Sequence, residues 1–326
     1  MTVASRFATL RVRALDGNEI GEGMRILAAV VTHNRRDLLR RCLDKLRAQA
    51  RAPDGILVID NASSDGTPAM LQEQRIDHVT QPNLGSAGGW QRAVSEGLQR
   101  GYDWIWLMDD DGYPDPMALR HLSESAVSGV ACVSSIVVRE DDPRRFVFPV
   151  PVLDRHGFPA LFRVPRKLTH VAGLARRTTG HLYPFVHLFN GALISAAAVA
   201  RVGNIDERYF IYGEEVDYFC RLRSAGRVVS DLRSLHYHPD VSSRPLSPMK
   251  TYYYVKNSVI VHKRYFNQPA LRNLGVPVMA VLRVGLRNGM ADALSYVFGA
   301  HRAVLSQAIA RGRALKVGRD FDDALA

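Results

Sequence analysis

Cysteine is scarce in this sequence: it has three in 326 residues, and Cys42, Cys132 and Cys220 stand far apart. This spacing argues against a disulfide framework and against a C-x-x-C zinc site, so we expect a reducing, cytoplasmic environment. Long apolar runs are also missing. No stretch reaches the roughly 18 apolar residues of a spanning helix, and the first residues lack the apolar core of a signal peptide. We therefore expect a chain that does not cross a membrane.

Acidic residues are outnumbered by basic ones, with 32 Asp and Glu against 43 Lys and Arg and a net charge of +11. This balance favours an anionic partner: a nucleotide, a lipid headgroup or a nucleic acid. We expect no nucleic acid, because the sequence has no recognised binding module and its cations concentrate near the C-terminus rather than around a repeated aromatic platform.

Strand and helix patterns alternate from residue 26 onwards. The sequence predicts strands at ILAAVVT (26–32), ILVI (56–59), 76–80 and YDWIWLM (102–108), and helices around 39–46, 67–75 and 89–100. This alternation predicts an α/β fold with a mostly parallel sheet, helices on both faces, and ligands outside the carboxyl ends of the strands. The proline-rich stretch from about 130 to 185 predicts strands joined by long loops.

Three adjacent carboxylates, Asp109, Asp110 and Asp111, directly follow the strand that ends in WLM. They repel one another unless a cation lies among them. Mg²⁺ and Mn²⁺ take one or two carboxylates together with substrate phosphates, so Asp109 and Asp111 are candidate ligands for a metal on a diphosphate. The alternative is a solvated acidic turn.

Two later clusters add candidate groups. Glu214, Glu215 and Asp217 stand at a helix start, where a carboxylate with a raised pKa could act as a general base or could simply complement the helix dipole. His236 and His238 lie two residues apart after a strand and would point to one side, where either could bind a metal. Two surface histidines are the alternative.

The last 65 residues are basic, with ten Lys or Arg between Lys263 and Arg319 against the single acid Asp292. Leu282, Leu286, Met290 and Leu294 follow an i, i+4 stripe. Such a basic amphipathic helix suits the surface of an anionic membrane, although packing on the main domain is the alternative. Self-association through this helix is compatible with the sequence and is not required by it.

The motifs stand in an order that resembles the family-2 glycosyltransferases of the GT-A (Rossmann-like) fold. They are VVTHNR, ILVIDNASSDGT, NLGSAGG, WLMDDDG, FNGALIS, DERYFIYGEEVDYFCRLRSAG, HYHP and YYYVKN, covering about residues 26 to 262. Within that family the chain is most similar to galactofuranosyltransferases and rhamnosyltransferases of bacterial cell-wall and O-antigen synthesis. The resemblance implies metal-dependent, inverting transfer of a sugar from a nucleotide diphosphate donor.

The residue pattern and the resemblance together predict an organisation of the chain. An N-terminal extension (1–23) would precede a GT-A domain (24–262), made of a nucleotide-binding half (24–120) and an acceptor-binding half (121–262). A basic helical region (263–326) would follow and associate peripherally with the cytoplasmic face of the inner membrane. The acceptor would be a glycan or a polyprenyl-diphosphate-linked sugar.

Roles follow residue by residue from the same resemblance. Glu215 would be the general base, and a divalent Mn²⁺ or Mg²⁺ would be held by Asp109, Asp111 and His238, with His236 as the alternate. Donor contacts would come from Thr32, His33, Asn34, Arg35, Asp60, Asn61, Asn83, Gly85, Asp110 and Lys256. Acceptor contacts would come from Trp90, Asn190, Glu214 and Asp217.

The sequence departs from the family pattern at two of these positions. Glu215 replaces the more usual aspartate, and Lys256 stands where the family has arginine, which removes a bidentate fork for phosphate. The DDDG element favours UDP-galactofuranose as the donor over dTDP-rhamnose. A nucleotidyltransferase is a further alternative, although it has no obvious need for the acids at 214–217.

Overall fold

The computed structural model describes residues 23–322, so the predicted N-terminal extension lies outside the described residues apart from Gly23. In chain order the elements are β1 (Ile26–Thr32), α1 (Arg36–Arg47), β2 (Gly55–Asp60), α2 (Thr67–Glu73), β3 (Asp77–Thr80), α3 (Gly85–Gln99), β4 (Trp104–Asp109), β5 (Tyr113–Pro114), α4 (Ala118–Ser125), β6 (Val130–Arg139), β7 (Arg145–Pro151), β8 (Lys167–His170), α5 (Val171–Ala175), β9 (Leu182–Tyr183), β10 (Asn190–Ser195), α6 (Ala196–Val202), α7 (Glu214–Ala225), β11 (Arg227–His238), α8 (Pro248–Tyr265), α9 (Pro269–Asn288), α10 (Met290–Phe298) and α11 (Arg302–Arg313).

The strands join in one mixed sheet whose main order is β3-β2-β1-β4-β10-β6-β11-β5. The first four strands in this order are parallel, and β6 is parallel to β11, while β10 runs antiparallel between β4 and β6. The predicted α/β fold with a mostly parallel sheet is therefore confirmed. The parallel part places the carboxyl ends of β1, β2 and β4 at one edge.

Both faces of the sheet are covered, which explains why its inner strands are apolar along their whole length. Successive side chains of β1 alternate between two cores. Leu27, Ala29 and Val31 join the core that contains α3 and α7. Ile26, Ala28 and Val30 join the core that contains α1 and α4.

The NLGSAGG segment is a helix start and not the loop that the sequence predicted, because α3 already begins at Gly85. Gly85 has a φ of +76°, and a Cβ there would lie 2.4 Å from the carbonyl oxygen of Phe210. A Cβ at Gly89 would lie 2.5 Å from Val31. These glycines therefore let the helix pack closely against its neighbours.

Trp90 is part of this packing, which corrects its predicted role as an acceptor contact. Its side chain is 1% exposed and stacks on Phe189 with ring centroids 4.8 Å apart. An indole enclosed to this extent has no surface to offer an acceptor. The stretch from residue 130 begins with β6, a ten-residue inner strand, in agreement with the predicted strands joined by loops.

The C-terminal helices α8 to α11 have a core of their own around Tyr252, Tyr253 and Tyr296. The predicted domain boundary after residue 262 falls inside α8. The predicted apolar stripe is divided at Gly289 between α9 and α10, and its four side chains are 49–88% exposed. Within residues 23–322, no helix combines the length and the apolar character needed to span a membrane.

Candidate active site

The carboxyl ends of three parallel strands bring the first candidate residues together. Thr32 ends β1 and pairs in register with Asp60 at the end of β2, while Val31 pairs with Asp109 at the end of β4. Three motifs that are far apart in the sequence therefore meet at one edge of the sheet.

The acidic turn after β4 is held by cations and a hydroxyl. Asp110 accepts hydrogen bonds from Thr32 Oγ1 at 2.7 Å and from Arg35 Nη1 at 2.9 Å. Asp111 lies 3.0 Å from Arg35 Nη1, 3.3 Å from Arg244 Nη1 and 2.9 Å from His238 Nε2. The predicted aspartates and His238 are thus brought together, with Arg244 as a neighbour that sequence reasoning missed.

The three carboxyl groups have different electrostatic surroundings. Burial and the neighbouring Asp111 and Asp110 raise the pKa of Asp109 well above its usual range. Burial also raises the pKa of Asp110, although Arg35 opposes the shift. Burial opposes ionisation of Asp111 as well, but the hydrogen bond and charge of His238, with Arg35 and Arg244, bring its pKa below the usual value. Ionisation of the three carboxyl groups in this turn therefore depends on nearby cations.

The two histidines are not equivalent. His236 is fully buried, neither of its ring nitrogens has a partner, and burial together with His238 lowers its pKa to about 3. His238 instead donates from Nδ1 to the Pro239 carbonyl at 2.7 Å and turns Nε2 towards Asp111. Of the two, His238 is the one whose ring nitrogen pairs with Asp111, whereas the ring of His236 packs against Gly112.

The loops after β1 and β2 are tied to each other and form one wall of the site. His33 Nδ1 donates to the Asn61 carbonyl at 2.9 Å, and the Asn34 side chain accepts from the backbone of Ser64 at 2.7 Å. Asp60 is buried, with Oδ2 unpartnered. This free acceptor, at the predicted nucleoside side, matches a donor hydroxyl or N–H of a ligand.

Asn83 and Gly85 stand apart from this wall. The Asn83 side chain accepts from the backbone N–H of Gly85 at 3.0 Å, and Gly85 packs on Phe210. Asn190, at the start of β10, is 7% exposed and its Oδ1 has no partner. It pairs in register with Met108, next to the acidic turn.

The acid pair begins α7. Glu214 is buried and accepts a hydrogen bond from Ser86 Oγ at 2.8 Å, while its Oε2 is unpartnered. The Glu215 side chain is 37% exposed, and its Oε1 lies 3.4 Å from His187 Nδ1. One acid is therefore enclosed and the other reaches solvent beside a histidine.

The loop before α7 has an unusual backbone that one side chain stabilises. Phe210 and Tyr212 have φ values of 62° and 60°, and Gly213 has 91°. Asn257 Nδ2 on α8 donates to the carbonyls of Tyr209, Ile211 and Tyr212 at 2.7–3.1 Å. Asn257, the last residue of the YYYVKN motif, therefore holds the loop that leads into Glu214 and Glu215.

Comparison with known proteins identifies the class of this site. The model of "Glycosyl transferase family 2" matches residues 28–174. Galactofuranosyltransferase GlfT1 of Mycobacterium tuberculosis is 34% identical over 271 residues, which cover 76% of this chain and 84% of the relative. The chain belongs to glycosyl transferase family 2. It is therefore a transferase enzyme.

Other members and a solved structure extend this result. GlfT1 of Mycolicibacterium smegmatis is 38% identical over 62% of this glycosyltransferase and 66% of the relative's own length. An N-acetylglucosaminyl-diphospho-decaprenol L-rhamnosyltransferase of M. tuberculosis is 28% identical over 83% of this chain and 97% of the relative. The crystal structure of GalNAc-T7 with UDP, GalNAc and Mn²⁺ superimposes with a TM-score of 0.57 at 14% identity, over 77% of this chain and 50% of that chain. This last likeness concerns the fold alone.

Two predicted contacts of the glycosyltransferase lie elsewhere. Lys256, expected at the donor phosphate, is fully buried, and its Nζ contacts the carbonyl of Gly318 and the carboxylate of Asp320. Asp217, expected at the acceptor, accepts from Arg221 at 2.8 Å and from Tyr265 at 2.6 Å. Both side chains stabilise the protein internally, because their polar atoms already form hydrogen bonds or ion pairs with other residues of the chain.

Sequence reasoning missed four residues of the site. Ser86 and Asn257 lay within quoted motifs, but nothing in the sequence separated them from their neighbours. His187 and Arg244 lay outside every motif with an assigned role, and only the folded chain shows their partners, Glu215 and Asp111.

The buried Glu214 predicts a pH-dependent stability. Burial raises its pKa from 4.5 to about 7, against the hydrogen bond from Ser86. Between these values the folded chain holds the proton more tightly than the unfolded chain, so this contribution is complete below pH 4.5 and is lost as the pH rises to about 7. Relative to the parent protein, Glu214→Gln should therefore gain about 3 kcal/mol in free energy of unfolding across that range.

Urea denaturation at a series of pH values measures this difference. Glu73→Gln, an exposed position on α2, is the matched control and should show no such trend. A difference between Glu214→Gln and the parent that stays constant with pH would contradict the burial of an ionisable group at this position.

Proposed function

We propose that this glycosyltransferase transfers galactofuranose from UDP-galactofuranose to a lipid-linked or polysaccharide acceptor in cell-envelope glycan synthesis. The similarity to two GlfT1 proteins at 34–38% identity supports this donor. The DDDG element agrees with it. Transfer of rhamnose from dTDP-rhamnose is the alternative, supported by the rhamnosyltransferase relative.

The contact between Asp111 and His238 carries the proposal of a metal-assisted diphosphate site. In the part of the chain from 23 to 322, no three His, Cys, Asp or Glu side chains form a complete metal-binding group. A two-ligand set still fits Mg²⁺ or Mn²⁺, which take one or two protein ligands together with substrate phosphates. His238 also has the orientation of a metal ligand, because its other ring nitrogen donates to a backbone carbonyl.

Asp111 and His238 would hold the metal, with Asp109 beside them in the same turn. The ion would supply charge neutralisation for the departing nucleotide diphosphate. Arg35 would keep Asp110 and Asp111 ionised and in position through its two contacts. Thr32, Asp60 and Asn61 would form the nucleoside side of the pocket, where Asp60 has a free acceptor oxygen.

Glu215 is the proposed general base. It is the acid of the pair that reaches solvent, so an acceptor hydroxyl can approach it. It would take the proton from that hydroxyl as the oxygen attacks the anomeric carbon from the face opposite the leaving nucleotide. A single displacement of this kind inverts the anomeric configuration. Glu214 and Asn190 would border the acceptor position.

Replacement of the base gives the decisive variant. Glu215→Gln keeps the size of the side chain and removes the proton acceptor, so transfer should fall by about 10²- to 10⁴-fold while donor affinity stays unchanged. Transfer is measured by product formation, and donor affinity by calorimetry with UDP.

The same assay distinguishes the roles of the two neighbouring acids, Glu214 and Glu215. Glu73→Gln, remote from the site, is the control for the loss of one carboxylate. Near-normal transfer by Glu215→Gln together with loss in Glu214→Gln would move the base to Glu214 and refute our assignment.

The C-terminal helices would bring the enzyme to its acceptor at the inner face of the cytoplasmic membrane. Several large apolar side chains project from α9 and α10, among them Leu274 (69% exposed), Leu286 (88%) and Phe298 (82%). A monomer rarely exposes so many large apolar groups in adjacent helices without a partner surface. The net charge of +11 complements an anionic lipid surface.

Vesicle sedimentation tests this surface. Replacing both Leu286 and Phe298 by Gln should weaken binding to phosphatidylglycerol vesicles at least about 10-fold, because burial of each side chain contributes about 1.5–3 kcal/mol. Leu315→Gln, at a residue 41% exposed beyond α11, should have little effect. Unchanged binding by the double variant would refute the membrane role, and a change in its oligomeric state would assign the surface to self-association.

A further inference from the structure

Two arginines of α9 face the loop that leads into the acid pair. The guanidinium of Arg283 lies over the ring of Tyr254, 4.6 Å from its centroid. Tyr254 in turn meets the ring of Tyr212 edge-on at 6.3 Å. Tyr212 is two residues before Glu214, so the positive charge of α9 lies beside the acceptor side of the site.

The second arginine connects this surface to the acidic turn. Arg287 Nη1 donates to the carbonyl of Arg244 at 3.5 Å, and the side chain of Arg244 contacts Asp111. Arg283 and Arg287 are four residues apart on α9, so their side chains leave the same face of the helix. The two arginines therefore lie between the loop before the acid pair and Arg244.

Among residues 23–322, no ion pair to Asp or Glu accompanies Arg283 or Arg287, whose neighbours are the Tyr254 ring and the Arg244 carbonyl. Like charges that converge without a carboxylate form a favourable place for a multivalent anion.

We propose that Arg283 and Arg287 bind the diphosphate of a lipid-linked acceptor. This inference rests on the proposed function and names the part of the acceptor that the site recognises. An arginine fork matches phosphate oxygens in a bidentate manner. The lipid chain of the acceptor would lie against apolar side chains nearby, because Leu282 and Leu286 on the same helix are 54% and 88% exposed.

In this arrangement, the donor diphosphate and the acceptor diphosphate would bind to separate groups of cations. The donor diphosphate would lie at Asp111 and His238, and the acceptor diphosphate at α9, with Arg244 between them. Three sources of phosphate must therefore be distinguished in a test: the donor nucleotide, the acceptor diphosphate and the phospholipid headgroup.

Calorimetry on the full chain, with UDP and Mg²⁺ first added to saturation, separates the first two sources. Farnesyl diphosphate is the probe. Farnesol and inorganic pyrophosphate are titrated separately, because they represent its lipid part and its diphosphate part. Arg283→Gln and Arg287→Gln should each weaken farnesyl diphosphate binding about 10- to 100-fold, the loss expected for a charge-assisted hydrogen bond. Arg302→Gln, an exposed arginine at the start of α11, removes the same charge and should have little effect.

Several outcomes would overturn the proposal. The site would not be specific if the α9 variants bound farnesyl diphosphate as tightly as the parent protein. The same conclusion would follow if Arg302→Gln weakened this binding as much as the α9 variants do. Competition between UDP and farnesyl diphosphate would assign the arginines to the donor. Weaker binding to phosphatidylglycerol vesicles with unchanged farnesyl diphosphate affinity would assign them to headgroups. If UDP does not bind, the proposed function fails, and the same titration without UDP still decides this site.

Discussion

Mutual repulsion among three consecutive carboxylates at the end of β4 is the constraint around which the site is arranged. The sheet places Asp109, Asp110 and Asp111 where solvent is largely excluded, so each charge needs a partner nearby. Those partners come from distant parts of the chain: Arg35 after β1 and His238 at the end of β11. The fold is thus required to bring opposite charges to one edge before a ligand arrives.

A second set of contacts joins the C-terminal helices to the acid pair. Asn257 of α8 holds the loop before α7 through three carbonyls, and the adjacent Lys256 fixes the final segment through Gly318 and Asp320. The guanidinium of Arg319 from that segment lies 4.8 Å above the ring of Phe210 in the same loop. The basic region is therefore a support of the site as well as a surface for partners.

The sequence was informative where local pattern decides structure. Periodicity predicted β1, α1, β2 and β4, and the alternation of strands and helices predicted the mostly parallel sheet. It was misleading where packing decides: Trp90 was taken for a ligand contact, although stacking on Phe189 encloses it. Lys256 was assigned to the donor because a motif gives residue type but not the direction of a side chain on a helix. His187 and Arg244 were missed because only tertiary contacts give them partners.

On the proposed mechanism, the acidic turn and His238 would act on a nucleotide diphosphate through a divalent metal. Nucleotide release by the purified enzyme, supplied with UDP-galactofuranose or dTDP-rhamnose and acceptor in Mn²⁺ or Mg²⁺, tests it most directly when repeated with EDTA. EDTA should abolish nucleotide release from UDP-galactofuranose, and added Mn²⁺ should restore it. Release at an unchanged rate in EDTA, or from neither donor, would contradict it.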